Sequence, residues 1–380
     1  MEERGLAEAE VERLLEEKKR KDLRYERIFS SMCTYPHEIA IRAHMKFIEA
    51  NLGDHGLFPG TKEMEDEVVR MLGSLLGKED AAGYITTGGT ESNIQAIRAA
   101  RNLKRKELGG VAAAFNIVVP ESAHFSFDKI ADLLSLEVRK ARLDDELRVD
   151  VEAVKELMDE RTVAVVGIAG TTEFGQIDPI EELSEVALER GVFLHVDAAF
   201  GGFVIPFLER RYRFDFSVEG VSAISIDPHK MGMSTIPAGC LLFRRREHLE
   251  ALAVETPYLT TKAQYSLVGT RSGAAAAATY AVLKLLGKEG LRRVVRECMR
   301  LTRLVVDGAR KLGVEPVIEP VMNVVALKVE NVELVVERLR ERGWRVSTTR
   351  KPRALRLVIM PHVTEEAVMQ FLKDFEEVLG

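Results

Sequence analysis

The chain has 380 residues, of which 46% are hydrophobic and 30% charged, which is enough for a large buried core and a smaller attached domain. Its formal net charge is -6 and its basic residues are scattered, which argues against a nucleic-acid partner. The sequence contains no apolar run of about 18 residues and its N-terminal segment is charged, so we expect a cytoplasmic protein without a membrane partner.

Cysteine and histidine usage gives no sign of a disulfide framework or a metal site. Cys33, Cys240 and Cys298 are far apart in the chain, and the 8 histidines show no metal-binding spacing. Glutamine and asparagine are scarce, whereas Glu, Arg and Lys are abundant. This balance is typical of proteins from hot environments, and a thermophilic source is our hypothesis.

The first predicted element is a charged N-terminal helix, EERGLAEAEVERLLEEKKRKDL. From about residue 80 to residue 245, short β-branched runs alternate with longer helical stretches. The runs that predict strands lie at 83–87, 115–120, 162–170, 192–200, 221–227 and 238–243. This alternation predicts an α/β fold with a doubly wound, mainly parallel sheet, whose ligands bind at the carboxyl ends of the strands.

The pattern changes beyond residue 272. An Ala-rich helix at 273–287 and a long charged helix at 289–312 precede a strand, a helix, two strands and a final helix. These elements predict a small C-terminal α/β domain. We therefore divide the chain into an N-terminal helical segment, a large ligand-binding domain and the small domain, at residues 1–55, 56–285 and 286–380.

The segment TTGGTESN, residues 86–93, joins a predicted strand to a predicted helix. Its glycines let a ligand approach the backbone closely, and the helix N-terminus offers free N–H groups. Thr90 could hydrogen-bond a phosphate or simply cap the helix, because an ordinary turn would have the same residues. The segment is neither GxGxxG nor a P-loop, which disfavours a dinucleotide or ATP.

Two further polar residues follow predicted strands. His124, in PESAHFS, would project over the carboxyl end of the sheet, where it could stack on a flat ring or lie at the surface. Asp197, in HVDAAFGG, stands at the tip of an apolar strand, and a buried carboxylate needs a cationic partner. A protonated ring nitrogen of a ligand would serve, and a distant arginine or a helix cap is the alternative.

Lys230 lies in the turn DPHKMG, between two apolar strands. Most turn lysines are solvated, but a lysine amine shielded from water can form a Schiff base with a carbonyl group. A phosphate cradle, a stacking ring, an acid for a ring nitrogen and a Schiff-base lysine are together what pyridoxal 5'-phosphate (PLP) requires. The combination therefore predicts PLP, although each feature alone does not.

The order of TTGGTESN, SAH, HVDAAFGG and DPHK resembles the group II PLP-dependent decarboxylases, the fold type I superfamily of glutamate and aromatic amino acid decarboxylases. NLGDHGLFPGT and IDPHKMGMSTIPAG are most similar to the archaeal L-tyrosine/L-aspartate decarboxylase branch. The resemblance covers roughly residues 30–380 and implies a homodimer with shared active sites.

The resemblance also implies roles for individual residues. Lys230 would form the Schiff base, His124 would stack on the pyridine ring, and Asp197 would pair with the ring nitrogen. His229 would lie beside the Schiff base. The remaining cofactor contacts would come from Gly89 and Thr90 at the phosphate, Thr172 at the ring edge, and Ala199.

Three positions carry over less directly. Arg271, in VGTRSG, matches an arginine that in relatives contacts the substrate carboxylate or closes the site across the dimer. Many relatives have a catalytic tyrosine on a mobile loop, for which this chain offers Tyr258 and Tyr265. Many also have asparagine where this chain has Asp227, so the resemblance assigns no role to that carboxylate.

The implied reaction is decarboxylation of a small amino acid: L-tyrosine to tyramine, L-aspartate to β-alanine, or both, in methanofuran or coenzyme A biosynthesis. Aspartate would need a second cationic contact, for which the candidates are Arg42, Arg271, Arg350 and Arg353. Glutamate decarboxylase and a carbon–carbon lyase like sphingosine-phosphate lyase are alternatives, and an aminotransferase is less favoured. Outside enzymes, the alternative is a doubly wound binding protein.

Overall fold

The computed structural model describes residues 3–110 and 114–380 of the chain. Three helices precede the first strand: α1 (Glu8–Lys19), α2 (Glu38–Lys46) and α3 (Pro59–Leu75). Strands and helices then alternate: β1 (Ala82–Thr86), α4 (Gly89–Glu107), β2 (Asn116–Pro120), α5 (Ser126–Leu134), β3 (Glu137–Ala141), α6 (Val151–Leu157), β4 (Thr162–Ile168), α7 (Ile180–Arg190), β5 (Phe193–Asp197), β6 (Val221–Ile226), β7 (Gly239–Phe243) and α8 (Arg246–Glu250).

The remaining elements belong to the last third of the chain. They are β8 (Val254–Glu255), β9 (Ala263–Gln264), α9 (Gly273–Lys311), β10 (Val324–Leu327), α10 (Val332–Glu341), β11 (Ser347–Thr348), β12 (Leu355–Val358) and α11 (Glu365–Leu379). Helix α9 is interrupted at Gly287, whose φ of 54° and ψ of -171° are not helical. The Ala-rich and charged helices expected here therefore both exist, and they meet at this glycine.

In the described ranges the main sheet has seven strands in the order β1-β7-β6-β5-β4-β2-β3. Neighbouring pairs from β3 to β6 are parallel, and β7 runs antiparallel to both β1 and β6. Strands β1, β2, β4, β5 and β6 therefore all end at the same edge. This topology confirms the predicted doubly wound, mainly parallel sheet, with β7 as its antiparallel member.

Both faces of the main sheet are covered, which explains why its central strands are apolar without alternation. Strand β4, TVAVVGI, is buried throughout. Val165 belongs to a core packed against α3, α6, α7 and α9, whereas Val166 belongs to a core packed against α4, α5 and α8. The β-branched residues thus fill two helix–sheet interfaces at once.

The small antiparallel sheet β10-β12-β11 forms a separate core with α10, α11 and the second part of α9. Phe29, from the N-terminal segment, is also in this core, where its ring lies 5.1 Å from that of Trp344. Its backbone donates to the Arg345 carbonyl at 2.8 Å and accepts from the Val358 amide at 2.7 Å. Residues before the main sheet therefore anchor the small one, and our three-part division stays a prediction.

Within the described ranges, no helix is long and apolar enough to cross a membrane, and no group of His, Cys, Asp and Glu is placed to hold a metal ion. Cys240 and Cys298 are buried, as expected of small core residues, whereas Cys33 is half-buried.

Candidate active site

A cavity of about 350 Å³ opens at the edge of the main sheet where five of its strands end. Each wall is contributed by the segment that follows one strand: Thr87–Thr90 after β1, Ser122–Phe125 after β2, Gly170–Thr172 after β4, Asp197–Phe200 after β5, and Asp227–Lys230 after β6. The cavity thus lies where a doubly wound fold binds its ligands.

Lys230 enters this cavity from the turn after β6. The turn is closed by hydrogen bonds from the Lys230 amide to the Asp227 carbonyl at 3.0 Å and from the His229 amide to the Ala238 carbonyl at 3.1 Å. Lys230 Nζ lies 3.3 Å from Asp227 Oδ2, and the two side chains are 20% and 2% exposed. His229 Nε2 lies 3.8 Å from the same oxygen. A buried carboxylate therefore holds the lysine amine and one imidazole together.

Asp197 ends strand β5 with its carboxylate fixed by three donors. Oδ2 accepts from Asn93 Nδ2 at 2.8 Å, while Oδ1 accepts from the Ala199 amide at 3.1 Å and from Ser225 Oγ at 3.2 Å. No cation pairs with it among the described residues. Donors of this kind hold the carboxylate in one orientation at the cavity, where a cationic ligand atom could complete its coordination.

The turn between β1 and α4 exposes its backbone to the cavity at Gly88 and Gly89, which we call the glycine shelf. Gly88 has a φ of +140°, which a residue with a side chain rarely adopts. A Cβ at Gly89 would lie 3.1 Å from Asp227 Oδ2 and 3.2 Å from the Ala199 Cβ, so only glycine leaves the backbone accessible. Because α4 begins here, its first-turn N–H groups lack partners within the helix and are suited to bind an anion.

His124 lies over the cavity from the loop after β2. Its Nδ1 accepts from the Ser126 amide at 3.2 Å, and its ring lies 4.0 Å from that of Phe125. Burial lowers the pKa of His124, which favours the neutral imidazole. A neutral, oriented ring is suited to stack on a flat ligand.

Arg271 and Tyr265 lie elsewhere, although the resemblance places them at the active site. They line a second cavity, of about 380 Å³, on the other side of β1. Arg271 pairs with Glu65 at 2.5 Å and also donates to the carbonyls of Ile85 and Leu52. Within one chain, Arg271 is therefore engaged in the core rather than beside Lys230.

The other arginines considered for a substrate carboxylate also lie outside the first cavity. Arg42, Arg350 and Arg353 pair with Glu38, Glu173 and Glu333 respectively, and each is at least half exposed.

Arg356 is an arginine that the sequence did not single out. It is 6% exposed, and its guanidinium donates to the Thr172 carbonyl at 2.7 Å, the Ser30 carbonyl at 3.0 Å and Ser347 Oγ at 3.0 Å. No described carboxylate forms an ion pair with it, and burial lowers the pKa of Arg356 to about 10. Thr172 lines the cavity, so a buried cation that Glu173 attracts without forming an ion pair lies directly behind the wall.

Two residues beneath Asp197 were also missed. Asn93 lies at the end of the TTGGTESN segment, and His195 precedes Asp197 by two residues, on the same face of β5. The period of a strand could have grouped His195 with Asp197. Nothing in the sequence shows that Asn93 joins them, because that contact links residues 104 positions apart.

The chain is similar to known proteins over its whole length. Residues 24–330 match the family model described as the pyridoxal-dependent decarboxylase conserved domain. A probable L-tyrosine/L-aspartate decarboxylase of Methanothrix thermoacetophila is 62% identical over 377 residues, which are 99% of this chain and 97% of the relative. A probable L-aspartate decarboxylase of Archaeoglobus fulgidus is 57% identical over 94% of this chain and 96% of its own.

Solved structures share the fold. The sphingosine-1-phosphate lyase of Burkholderia pseudomallei has a TM-score of 0.91 at 29% identity, covering 100% of this chain and 91% of its own. The glutamate decarboxylase of Lactobacillus brevis has a TM-score of 0.91 at 23% identity, covering 100% of this chain and 93% of its own. The chain therefore belongs to the pyridoxal-dependent decarboxylase family, and it is a PLP-dependent amino acid carboxy-lyase.

Proposed function

We propose that the enzyme decarboxylates L-aspartate to β-alanine, L-tyrosine to tyramine, or both, and that it serves coenzyme A or methanofuran biosynthesis. The archaeal relatives at 62% and 57% identity, whose names specify these two amino acids, support this choice of substrates. The observation that carries the proposed chemistry is the single cavity that holds Lys230 and Asp197 together with the glycine shelf.

The residues of the cavity fit PLP. The shelf at Gly88 and Gly89 would bind the phosphate, and an added Cβ at Gly89 would close it. Asp197 would accept a hydrogen bond from the protonated ring nitrogen, His124 would stack on the ring, and Lys230 would bind the carbonyl group. Thr172 and Ala199 line the same space, as do Thr90 and His229, which would complete these contacts.

The cofactor supplies an electron sink for the carbanion that CO2 leaves behind. The chain's own residues must then orient the substrate and return a proton to its α carbon. Lys230 Nζ and His229 Nε2 both face the cavity within 4 Å of Asp227 Oδ2, so either can deliver that proton. Asp197, whose hydrogen bonds hold it in one orientation, would accept the hydrogen bond of the ring nitrogen.

Arg356 is the side chain that we propose to bind the substrate carboxylate. A buried guanidinium without a carboxylate partner is costly, and an incoming anion would relieve this cost. The Arg356 nitrogen atoms reach Thr172, on the cavity wall, from the small sheet. Since none of the other candidate arginines hydrogen-bonds a residue of the cavity wall, aspartate would depend on Arg356 for its second carboxylate.

We further propose a homodimer. Several large apolar side chains are exposed on α2 and on the loops near the cavity: Tyr35 at 58%, Met45 at 62%, Ile48 at 61%, Leu57 at 63%, Ile236 at 54% and Tyr258 at 85%. Large exposed apolar side chains are what an interaction surface between two copies would cover. A second copy covering them would bring Tyr258 or Tyr265 of one chain near the cavity of the other, which makes a partner tyrosine the candidate proton donor.

The experiment is an amino acid panel. The purified protein, loaded with PLP, is offered L-aspartate, L-tyrosine and L-glutamate, and both CO2 and amine are measured. We expect β-alanine, tyramine or both. Dominant 4-aminobutyrate production would identify a glutamate decarboxylase, and aldehyde release from a phosphorylated amino alcohol without CO2 would identify a carbon–carbon lyase. A melting temperature above about 90 °C would support the thermophilic source.

A further inference from the structure

Asn93 lies at the floor of the cavity, where it connects two side chains of β5. It is 1% exposed, and each of its polar atoms has two partners. Its Nδ2 lies 2.8 Å from Asp197 Oδ2 and 3.1 Å from Ser126 Oγ. Its Oδ1 lies 2.8 Å from His195 Nε2 and 3.1 Å from Ser225 Oγ, whose single hydrogen is shared between this oxygen and Asp197 Oδ1. A single amide thus bridges His195 and Asp197.

The chemistry of these groups fixes the direction of the chain of hydrogen bonds. An ionised carboxylate can only accept, so Asp197 must face the NH2 group of Asn93. The Asn93 carbonyl oxygen then faces His195, and because that oxygen can only accept, His195 Nε2 must carry the hydrogen. Each hydrogen bond is therefore donated toward Asp197: His195 Nε2 donates to Asn93 Oδ1, and Asn93 Nδ2 donates to Asp197 Oδ2.

The surroundings of His195 agree with this assignment. His195 is fully buried, and among the residues described its Nδ1 makes no hydrogen bond of standard geometry, although the Ala223 backbone lies close enough to interact with the ring. A hydrogen on Nδ1 instead of Nε2 would set the lone pair of Nε2 against that of the Asn93 carbonyl oxygen. Burial also lowers the pKa of His195 to about 4, against the attraction of Asp197, so one ring nitrogen stays unprotonated at neutral pH.

We propose that Asn93 is a positioning residue, which uses the N–H of His195 to fix its own amide and thereby holds the Asp197 carboxylate toward the cavity. This inference rests on the proposed role of Asp197 at the ring nitrogen of the cofactor. Aspartate at position 93 would set two carboxylates together, and alanine would leave both Asp197 Oδ2 and His195 Nε2 without this partner. Asparagine donates to one side and accepts on the other.

The first test uses the wild-type protein without PLP. With 15N-labelled histidine, the ring nitrogen shifts of His195 report which nitrogen carries the hydrogen, and the His195→Gln variant identifies its signals. We expect a neutral ring with the hydrogen on Nε2 at pH 7. A hydrogen on Nδ1 would overturn the proposal, because Asn93 could not then receive a hydrogen bond from His195. This outcome does not depend on any activity or on cofactor binding.

The second test compares Asn93→Ala with Asn102→Ala, a matched substitution further along α4 whose amide donates to the Ala251 carbonyl at 2.9 Å. We expect Asn93→Ala to move the His195 shifts toward a mixture of tautomers and to weaken PLP binding about tenfold or more. Asn102→Ala should change neither.

Unchanged His195 shifts and unchanged PLP affinity in Asn93→Ala would refute the positioning role. If the wild-type protein itself failed to bind PLP, the proposed function would be wrong. The tautomer measurement would still show whether His195 donates a hydrogen bond to Asn93.

Discussion

Asp227 Oδ2 lies 3.3 Å from Lys230 Nζ, across a turn that leaves the aspartate 2% exposed. The second carboxylate oxygen, Oδ1, has no hydrogen-bond partner in the described part of the chain. This carboxylate also lies beside Gly89, on the shelf proposed for the phosphate. Asp227 therefore faces two demands: it binds the lysine amine, and it would lie close to the proposed phosphate site once the cofactor is bound.

The Asp227→Asn variant should capture PLP faster than the wild type. The substitution keeps the shape of the side chain, removes the ion pair that engages Lys230 Nζ, and removes a negative charge near the incoming phosphate. We expect the rate constant for the rise in yellow absorbance to increase several-fold at pH 7 and low salt. Equal rates for the two proteins would show that Asp227 does not restrain capture.

Replacing Arg356 should impair aspartate more than tyrosine. Arg356→Gln keeps a hydrogen-bond donor near the Thr172 carbonyl but removes the positive charge behind the cavity wall. We expect kcat/KM for L-aspartate to fall by about 100-fold, the scale of a lost charge-assisted hydrogen bond, with a smaller fall for L-tyrosine. Arg350→Gln is the control, because Arg350 is exposed and already pairs with Glu173. Equal losses for the two substrates would indicate that Arg356 binds the α-carboxylate, which both substrates have.

The strands and the polar residues at their ends were predictable because both signals are local. Lys230, Asp197 and His124 each follow an apolar run, and parallel strands bring such ends to one edge. Arg356 was not predictable, because it reaches the cavity wall from the small sheet, 184 residues beyond Thr172. Its own neighbours in the chain carry no sign of that contact.

Arg271 shows the opposite case, in which a local motif predicted a position that a distant contact does not support. Its motif placed it at the active site, but local sequence does not reveal that Glu65, 206 residues away, is 1% exposed and needs a cation. The cost of leaving that carboxylate unpaired decides the position of Arg271 within one chain. A role for Arg271 at the active site would therefore require the partner chain of the proposed dimer.

Stability should fall as the pH drops below 6.5, and His248 should contribute. Burial, reinforced by Arg245, lowers the pKa of His248 to about 4 in the folded protein. Because the unfolded chain titrates near 6.5, this contribution is fully present above that pH and is lost on acidification toward 4. At pH 5 the loss is about 2 kcal/mol.

The His248→Gln variant tests this contribution. Urea unfolding at pH 7 and pH 5 should show a smaller loss of stability in the variant than in the wild type, although His195, whose pKa burial also lowers to about 4, keeps part of the effect in both. Identical losses would show that His248 is not kept neutral by the fold.

Finally, the ion pair of Arg271 and Glu65 should be a major determinant of stability. The two side chains are 10% and 1% exposed, and Glu65 also accepts from the Ile85 amide at 3.0 Å. Although burial alone would raise the pKa of Glu65, Arg271 lowers it, so the carboxylate stays charged. Removing either partner would therefore leave the other as an unpaired buried charge. We expect Glu65→Gln to lower the free energy of unfolding by about 3–5 kcal/mol.

The double variant Glu65→Gln, Arg271→Met should lose less than the sum of the two single variants, because no unpaired charge remains. Glu152→Gln, which breaks an exposed pair with Lys155, is the control and should cost under about 0.5 kcal/mol. Additive losses in urea unfolding would mean that Glu65 and Arg271 are not coupled.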